Sequence, residues 1–134
     1  MKQETEDPNK KMEPTKAELE VLHILWANGP STVRFVNDKM NELRPVNYTS
    51  TLKVMQIMAD KGILQRDMSS MQHIYKPAEE EEKTKDHLVD RFVESVYQGS
   101  TGKLLMQVLG NKKTSKEDLA RIREILDMLE KKKD

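Results

Sequence analysis

Leu19, Leu22, Ile24, Leu25 and Trp26 recur at the three-to-four-residue spacing of one helix face, and Asn28-Gly29-Pro30 stops the run. Just before it, Thr15-Lys16-Ala17-Glu18 follows Pro14 with the form of a capping box. There the Thr hydroxyl and the Glu carboxylate each satisfy a free backbone N–H. A second helix, capped by Ser31 or Thr32, sets Val33, Val36, Met40 and Leu43 on its inner face and ends at Arg44-Pro45. A third starts between Asn47 and Thr49. It turns Leu52, Met55, Ile57 or Met58, and Ala59 inward, and closes at Lys61-Gly62, with Gly in the usual C-cap place.

The period then changes. Ile63-Leu64-Gln65-Arg66 and His73-Ile74-Tyr75-Lys76 read as two short strands around a tip at Met68-Ser69-Ser70-Met71, and Pro77 ends the second. Three helices and then a hairpin, with a short Pro-containing turn between the second and third helices, is the order of a winged helix-turn-helix.

Beyond Pro77 the pattern is helical again. Residues 79–98 carry four acids at the start, where the helix dipole favours them, and an apolar stripe of Val89, Phe92, Val93 and Val96. Gly99-Ser100-Thr101-Gly102 breaks this helix. Leu104, Leu105, Val108 and Leu109 form a short one closed by Gly110-Asn111. A last helix opens at Thr114 or Ser115 and is lined by Leu119, Ile122, Ile125, Leu126 and Leu129, with Lys131-Lys132-Lys133 at its C-terminal dipole. These stripes have no sheet to pack on. They are expected to bury against a second copy of the chain, most simply by two-fold pairing; the other arrangement open to them is a small intramolecular bundle. The predicted fold class is mostly α: a winged helix-turn-helix with a C-terminal helical dimerisation region. The expected organisation is a disordered arm over 1–13, a winged-helix domain over 14–78 and a helical dimerisation domain over 79–134.

Composition sharpens this picture in three places. Hydrophobic residues are 36% and charged residues 34% of 134, a lean core that a dimer would complete. There is no Cys, which excludes disulfides and thiolate metal sites. No apolar run is long enough to span a bilayer, and the N-terminus lacks the apolar centre of a signal peptide, so a soluble cytoplasmic chain without membrane insertion is expected. The three His have no paired ligand spacing, and no Gly-rich phosphate loop, nucleophile elbow or acid pair is visible. Neither a metal, a cofactor nor an enzymatic activity is expected. The nine Met read as packing. The formal net charge is zero, which by itself counts against binding a polyanion. Charge is unevenly spread, however: Ser31–Lys76 holds seven Lys/Arg against four Asp/Glu.

The run Ala17-Glu18-Leu19-Glu20-Val21-Leu22 to Trp26 with Asn28-Gly29-Pro30 resembles the first helix of the penicillinase and methicillin-resistance repressor family. Pro45-Val46-Asn47-Tyr48-Thr49-Ser50-Thr51, Asp60-Lys61-Gly62-Ile63-Leu64, Tyr75-Lys76-Pro77, Tyr97-Gln98-Gly99 and Glu117-Asp118-Leu119 continue the resemblance over roughly residues 14–130. It implies a bacterial transcriptional repressor that binds an operator on double-stranded DNA as a winged-helix homodimer. In several members a membrane sensor protease pathway ends in proteolysis within the dimerisation helices, at an Asn-Phe bond; here Gln107-Val108 stands in that region. Copper-responsive members use cysteines near the C-terminus, which this chain lacks. The inducing signal is left open between cleavage, a small ligand and dilution.

A winged helix places its third helix in the major groove with the N-terminal residues nearest the bases. Here these are Asn47, Tyr48, Thr49, Ser50 and Thr51, whose hydroxyls and amide can bond bases or phosphates. Asn47 or Thr49 could instead serve only as the helix cap. Lys53 and Gln56 lie a turn further on; Arg34 could clamp a phosphate from the second helix; and Arg66, His73 and Lys76 flank the wing tip. The neutral chain and the Arg-poor wing leave an alternative, a winged-helix protein-interaction module without specific DNA binding.

Overall fold

The computed structural model describes residues 13–111 and 113–133. The expected arm over 1–13 therefore lies outside the described residues, except for Glu13. Helices α1 (Lys16–Asn28), α2 (Val33–Asn41) and α3 (Tyr48–Asp60) are followed by the hairpin β1 (Leu64–Asp67) and β2 (Ile74–Pro77), then by α4 (Glu81–Tyr97), α5 (Thr101–Gly110) and α6 (Lys116–Lys133). The chain divides into two compact units that meet at Val89 and Asp90, within α4 rather than ahead of it.

The capping box opens α1 as the sequence indicates. The Glu18 N–H donates to Thr15 Oγ1 at 3.2 Å, and the Thr15 N–H donates to Glu18 Oε1 at 2.8 Å. Gly29 closes α1 at φ 84°, a conformation that favours glycine, with its N–H bonded to the Leu25 carbonyl. Thr32, not Ser31, caps α2 by accepting from the Phe35 N–H. Ser31 is instead buried, and pairs its backbone with Tyr75 in both directions, at 3.0 and 2.8 Å. This adds a one-residue third strand to the antiparallel β1–β2 pair, in which Arg66 faces Tyr75 and Asp67 faces Ile74.

Both strands begin one residue later than expected. Ile63 is taken by the end of α3: its N–H bonds the Met58 carbonyl at 2.9 Å, and the Gly62 N–H bonds Ala59 at 3.1 Å. This is a Schellman closure that needs Gly62 at φ 82° and brings Ile63 onto Met58. A Cβ at Gly62 meets nothing within 4 Å, so the backbone conformation alone carries the penalty. Gly62→Ala should destabilise the N-terminal unit by about 1–2 kcal/mol, read as a shift in the urea midpoint at unchanged slope. His73 falls beyond the closing pair and belongs to the wing tip.

The core gathers Val21, Leu22 and Leu25 of α1, Val36 and Met40 of α2, Met55 and Met58 of α3, Ile63 just after it, and Leu64 and Tyr75 of the hairpin. Of the two inward candidates on α3, Met58 is buried and Ile57 is 41% exposed. Leu43 does not join this face. The Leu43 and Arg44 N–H groups fold back onto the Met40 carbonyl after α2 has ended, leaving the Leu43 side chain 71% exposed. Arg44 instead grips Glu20 of α1 with both guanidinium nitrogens, and these hydrogen bonds, joined by the Arg44 charge, hold the Glu20 carboxyl below its ordinary range.

Helix α4 starts at Glu81, so only Glu81 and Glu82 occupy its first turn. Glu79 lies ahead of it and accepts from the Thr84 hydroxyl at 2.9 Å. Lys85 lies over the Trp26 ring, 5.7 Å from its centroid, which brings the opening of α4 against α1. In the second unit Ser100 caps α5 and Ser115, rather than Thr114, caps α6. Val93 is 6% exposed and so already covered within the chain, while Leu104 and Ile122 are half-buried. The remaining members of the predicted stripes stand open. Val89, Phe92, Val96, Leu105, Val108, Leu109, Leu119, Ile125, Leu126 and Leu129 are each at least 38% exposed.

Candidate nucleic-acid interface

Asn47 precedes α3 in extended conformation, and its side chain accepts from the Ser50 N–H at 2.8 Å, so the cap is Asn47 and not Thr49. Filling the cap with Asn47 frees the Tyr48, Thr49 and Ser50 side chains, all exposed at the opening turn of α3. The buried positions of this helix are Thr51, Met55 and Met58, at spacings of four and three. Thr49, Lys53 and Gln56 repeat that spacing on the opposite, exposed side and share one stripe. Thr51 is a correction to the sequence expectation. It is 1% exposed and its hydroxyl lies 2.8 Å from Asn37 Nδ2, so it faces the core and not a ligand.

Between α2, α3 and the wing lies a cleft of about 350 Å³, lined by Arg34, Tyr48, Leu52, Gln56, Arg66, Met71, Gln72, His73 and Tyr75, with Thr32 and Val33 at the start of α2. Five of the residues expected on chemical grounds (Arg34, Tyr48, Gln56, Arg66 and His73) therefore converge on one concave surface. The Arg34 guanidinium sits over the Tyr48 ring, 5.2 Å from its centroid, which orients both side chains. Lys53 stands exposed on α3, and Lys76 stands exposed on β2 opposite Gln65; neither lines the cleft.

The cations of this region sort into two groups. Lys39, Arg44 and Lys61 are each within 4 Å of an acid, on Glu42, Glu20 and Glu18 respectively. Arg34, Lys53, Arg66 and Lys76 have no acid within 4 Å among the described residues, though the Lys76 charge acts on Asp67 from further off. These four are the ones the sequence nominates. The wing tip is braced by the Ser69 N–H donating to Asp67 Oδ1 at 2.9 Å and by the Ser70 hydroxyl donating to the Gln72 carbonyl at 2.5 Å. Hydrogen bonds from Ser69, side chain first and then backbone, hold the Asp67 carboxyl below its ordinary range.

Sequence reasoning passed over Met71 of the cleft lining and the two amides of α2, Asn37 and Asn41. The signal for the amides was present: two Asn four residues apart in a nine-residue helix are poor helix formers and call for a tertiary reason. Among the described residues there is no group of three or more His, Asp or Glu placed to hold a metal ion, and no helix long and apolar enough to cross a membrane.

Three helices, a hairpin closed by a third bridged segment and an open cleft between α3 and that hairpin define a winged helix-turn-helix protein with a helical C-terminal region. The penicillinase repressor family model matches residues 14–128, and the chain belongs to that family of transcriptional repressors. A search of curated proteins returns no match.

Proposed function

We propose that the chain represses transcription by binding a near-palindromic operator as a homodimer. Helix α3 lies in the major groove, where Asn47, Tyr48, Thr49, Ser50, Lys53 and Gln56 meet bases and nearby phosphates. Arg34 from α2 and Arg66, His73 and Lys76 from the wing hold the flanking backbone. The observation that carries this reading is the sorting of cations. In a chain of zero net charge, the four basic side chains of the region with no acid within 4 Å among the described residues all belong to this one set, Lys76 feeling Asp67 only at longer range.

The open stripes of α4, α5 and α6 form the pairing surface of the dimer, which sets two α3 helices on successive half-sites. Release of the operator is assigned to a signal acting on this pairing region. Gln107 and Val108 lie inside α5 with Val108 47% exposed, so a protease reaching that bond must first unwind the helix. A sensor protease pathway is the partner such a step would require.

Eight cations per dimer meeting phosphate would give a slope of log affinity against log salt of about −7. Fluorescence anisotropy on a duplex enriched from a random-sequence library by the protein itself measures it. Lys53→Ala should weaken binding and, if Lys53 meets phosphate, flatten the slope by about 2. Failure to enrich any sequence, with no duplex bound at low salt, would overturn DNA binding in favour of a protein-interaction module.

A further inference from the structure

The turn between α2 and α3 is held by amides as well as by Val46, which packs half-buried against the core. Leu43, the residue placed to anchor it, points to solvent. Pro45 gives no N–H. Val46 is instead gripped on both sides by Asn41, whose Oδ1 accepts from the Val46 N–H at 3.1 Å while its Nδ2 donates to the Val46 carbonyl at 2.8 Å. The Asn41 side chain thus pairs with the turn as a strand backbone would.

Asn37, one helical turn earlier and 8% exposed, extends the grip. Its Nδ2 donates to the same Val46 carbonyl at 3.0 Å and to the Thr51 hydroxyl at 2.8 Å, and its Oδ1 accepts from Asn41 Nδ2 at 3.2 Å. The Thr51 hydroxyl passes its own proton toward the Met40 sulfur at 3.8 Å. Each of these polar groups has a partner, and at the buried end of the set, where Asn37 meets Thr51, a satisfied hydrogen bond tolerates one geometry where a greasy contact tolerates several.

We infer that Asn37, Asn41 and Thr51 form a positioning clamp that fixes the register between the phosphate-facing start of α2 and the base-facing side of α3, and thereby sets operator selectivity without touching DNA. The inference rests on the operator-binding reading above. The clamp joins the two helices that carry opposite walls of the cleft, Arg34 and Thr32 on α2 and Tyr48 and Gln56 on α3. A small rotation of α3 about the turn shifts every base contact together while Arg34, Arg66 and Lys76, which lie off α3, keep their reach to phosphate, and phosphate contacts carry little sequence information.

Asn41 is exposed, so Asn41→Ala removes its bonds without opening a core cavity. Thr51→Val keeps the buried shape and removes the hydroxyl; Thr51→Ser keeps the hydroxyl. The full-length variants are titrated against two probes, a duplex enriched from a random library by the unaltered protein and poly(dI-dC) of matched length, with urea unfolding in parallel. Asn41→Ala and Thr51→Val should each lose roughly tenfold in affinity for the enriched duplex, the cost of misplacing about one base contact. Affinity for poly(dI-dC) should stay within twofold of the unaltered protein and the salt slope within about one unit, and Thr51→Ser should retain the discrimination. Parallel losses on both probes that track the urea midpoint would reduce the clamp to a stability element and overturn the proposal, as would unchanged discrimination in all three variants. If the unaltered protein enriches no sequence, the operator-binding reading itself falls, and the clamp falls with it.

Discussion

Leu126→Asp should convert the proposed homodimer to a monomer and lower its affinity for the enriched duplex by about 10²–10⁴, the advantage that a second tethered binding module ordinarily supplies. The substitution is chosen for what it leaves alone. Leu126 is 47% exposed in the single chain and lies along an apolar groove of about 780 Å³ between α5 and α6, shared with Leu105, Leu109 and Ile122. A carboxylate there meets water in the monomer and meets hydrocarbon only when a second copy closes over the groove, where an unpaired charge is strongly unfavourable. Among the described residues, twelve large apolar side chains from Val89 to Leu129 are at least 38% exposed. So many large apolar side chains left open along one stretch of chain call for a partner surface. Light scattering should show half the mass, while far-ultraviolet circular dichroism and the unfolding of the N-terminal unit stay unchanged. A variant that remained dimeric and bound undiminished would show that these stripes pair with something other than a second copy. A monomeric variant that kept full affinity would show that pairing does not matter to DNA.

The same stripes show what periodicity can and cannot disclose. Spacing alone set Met55 of α3 inward, because a helix repeats its faces every three to four residues whatever it packs against, but it left Ile57 and Met58 as alternatives that the structure decides for Met58. The caps at Thr15, Gly29 and Gly62 were equally legible, since each answers a local need of a helix end for a hydrogen bond or a positive φ. What the sequence hid depends on contacts distant along the chain. Thr51 sits in a run of hydroxyl residues and reads as one more DNA contact, although it lies four residues before Met55 on the inward face, where Asn37 of α2 meets its hydroxyl. Leu43 continues an apolar stripe on paper, yet α2 stops two residues before it. Val93 belongs to the C-terminal stripe by spacing and is nonetheless covered within the chain. Ser31 and Thr32 compete for one cap, and the choice was made by Tyr75, which recruits the Ser31 backbone into the sheet.

Lys61→Met should lower the stability of the N-terminal unit by about 2–3 kcal/mol, far above what the loss of an exposed lysine usually costs, about half a kcal/mol. Lys61 caps the end of α3 and reaches back to α1, where its Nζ lies 2.9 and 3.0 Å from the two carboxylate oxygens of Glu18. The two ends of this pair differ sharply in burial, the Glu18 side chain being 5% exposed and the Lys61 side chain 36%. Removing the lysine leaves a buried carboxylate whose remaining bond is the Thr15 N–H at 2.8 Å, an uncompensated charge. Removing the charge from the other end is milder. Glu18→Gln keeps an oxygen for the Thr15 cap, and the freed ammonium can turn to water, so a cost of about 1 kcal/mol is expected. The double variant should therefore be more stable than Lys61→Met alone, because the orphaned charge is gone. Trp26, the sole Trp, packs against the same core, and its fluorescence during urea unfolding reads all three variants. If Lys61→Met cost no more than half a kcal/mol, or if the double variant fell to the sum of the singles, the contact between Glu18 and Lys61 would be no more than a surface ion pair. The joint between α1 and the end of α3 would then rest on apolar packing alone.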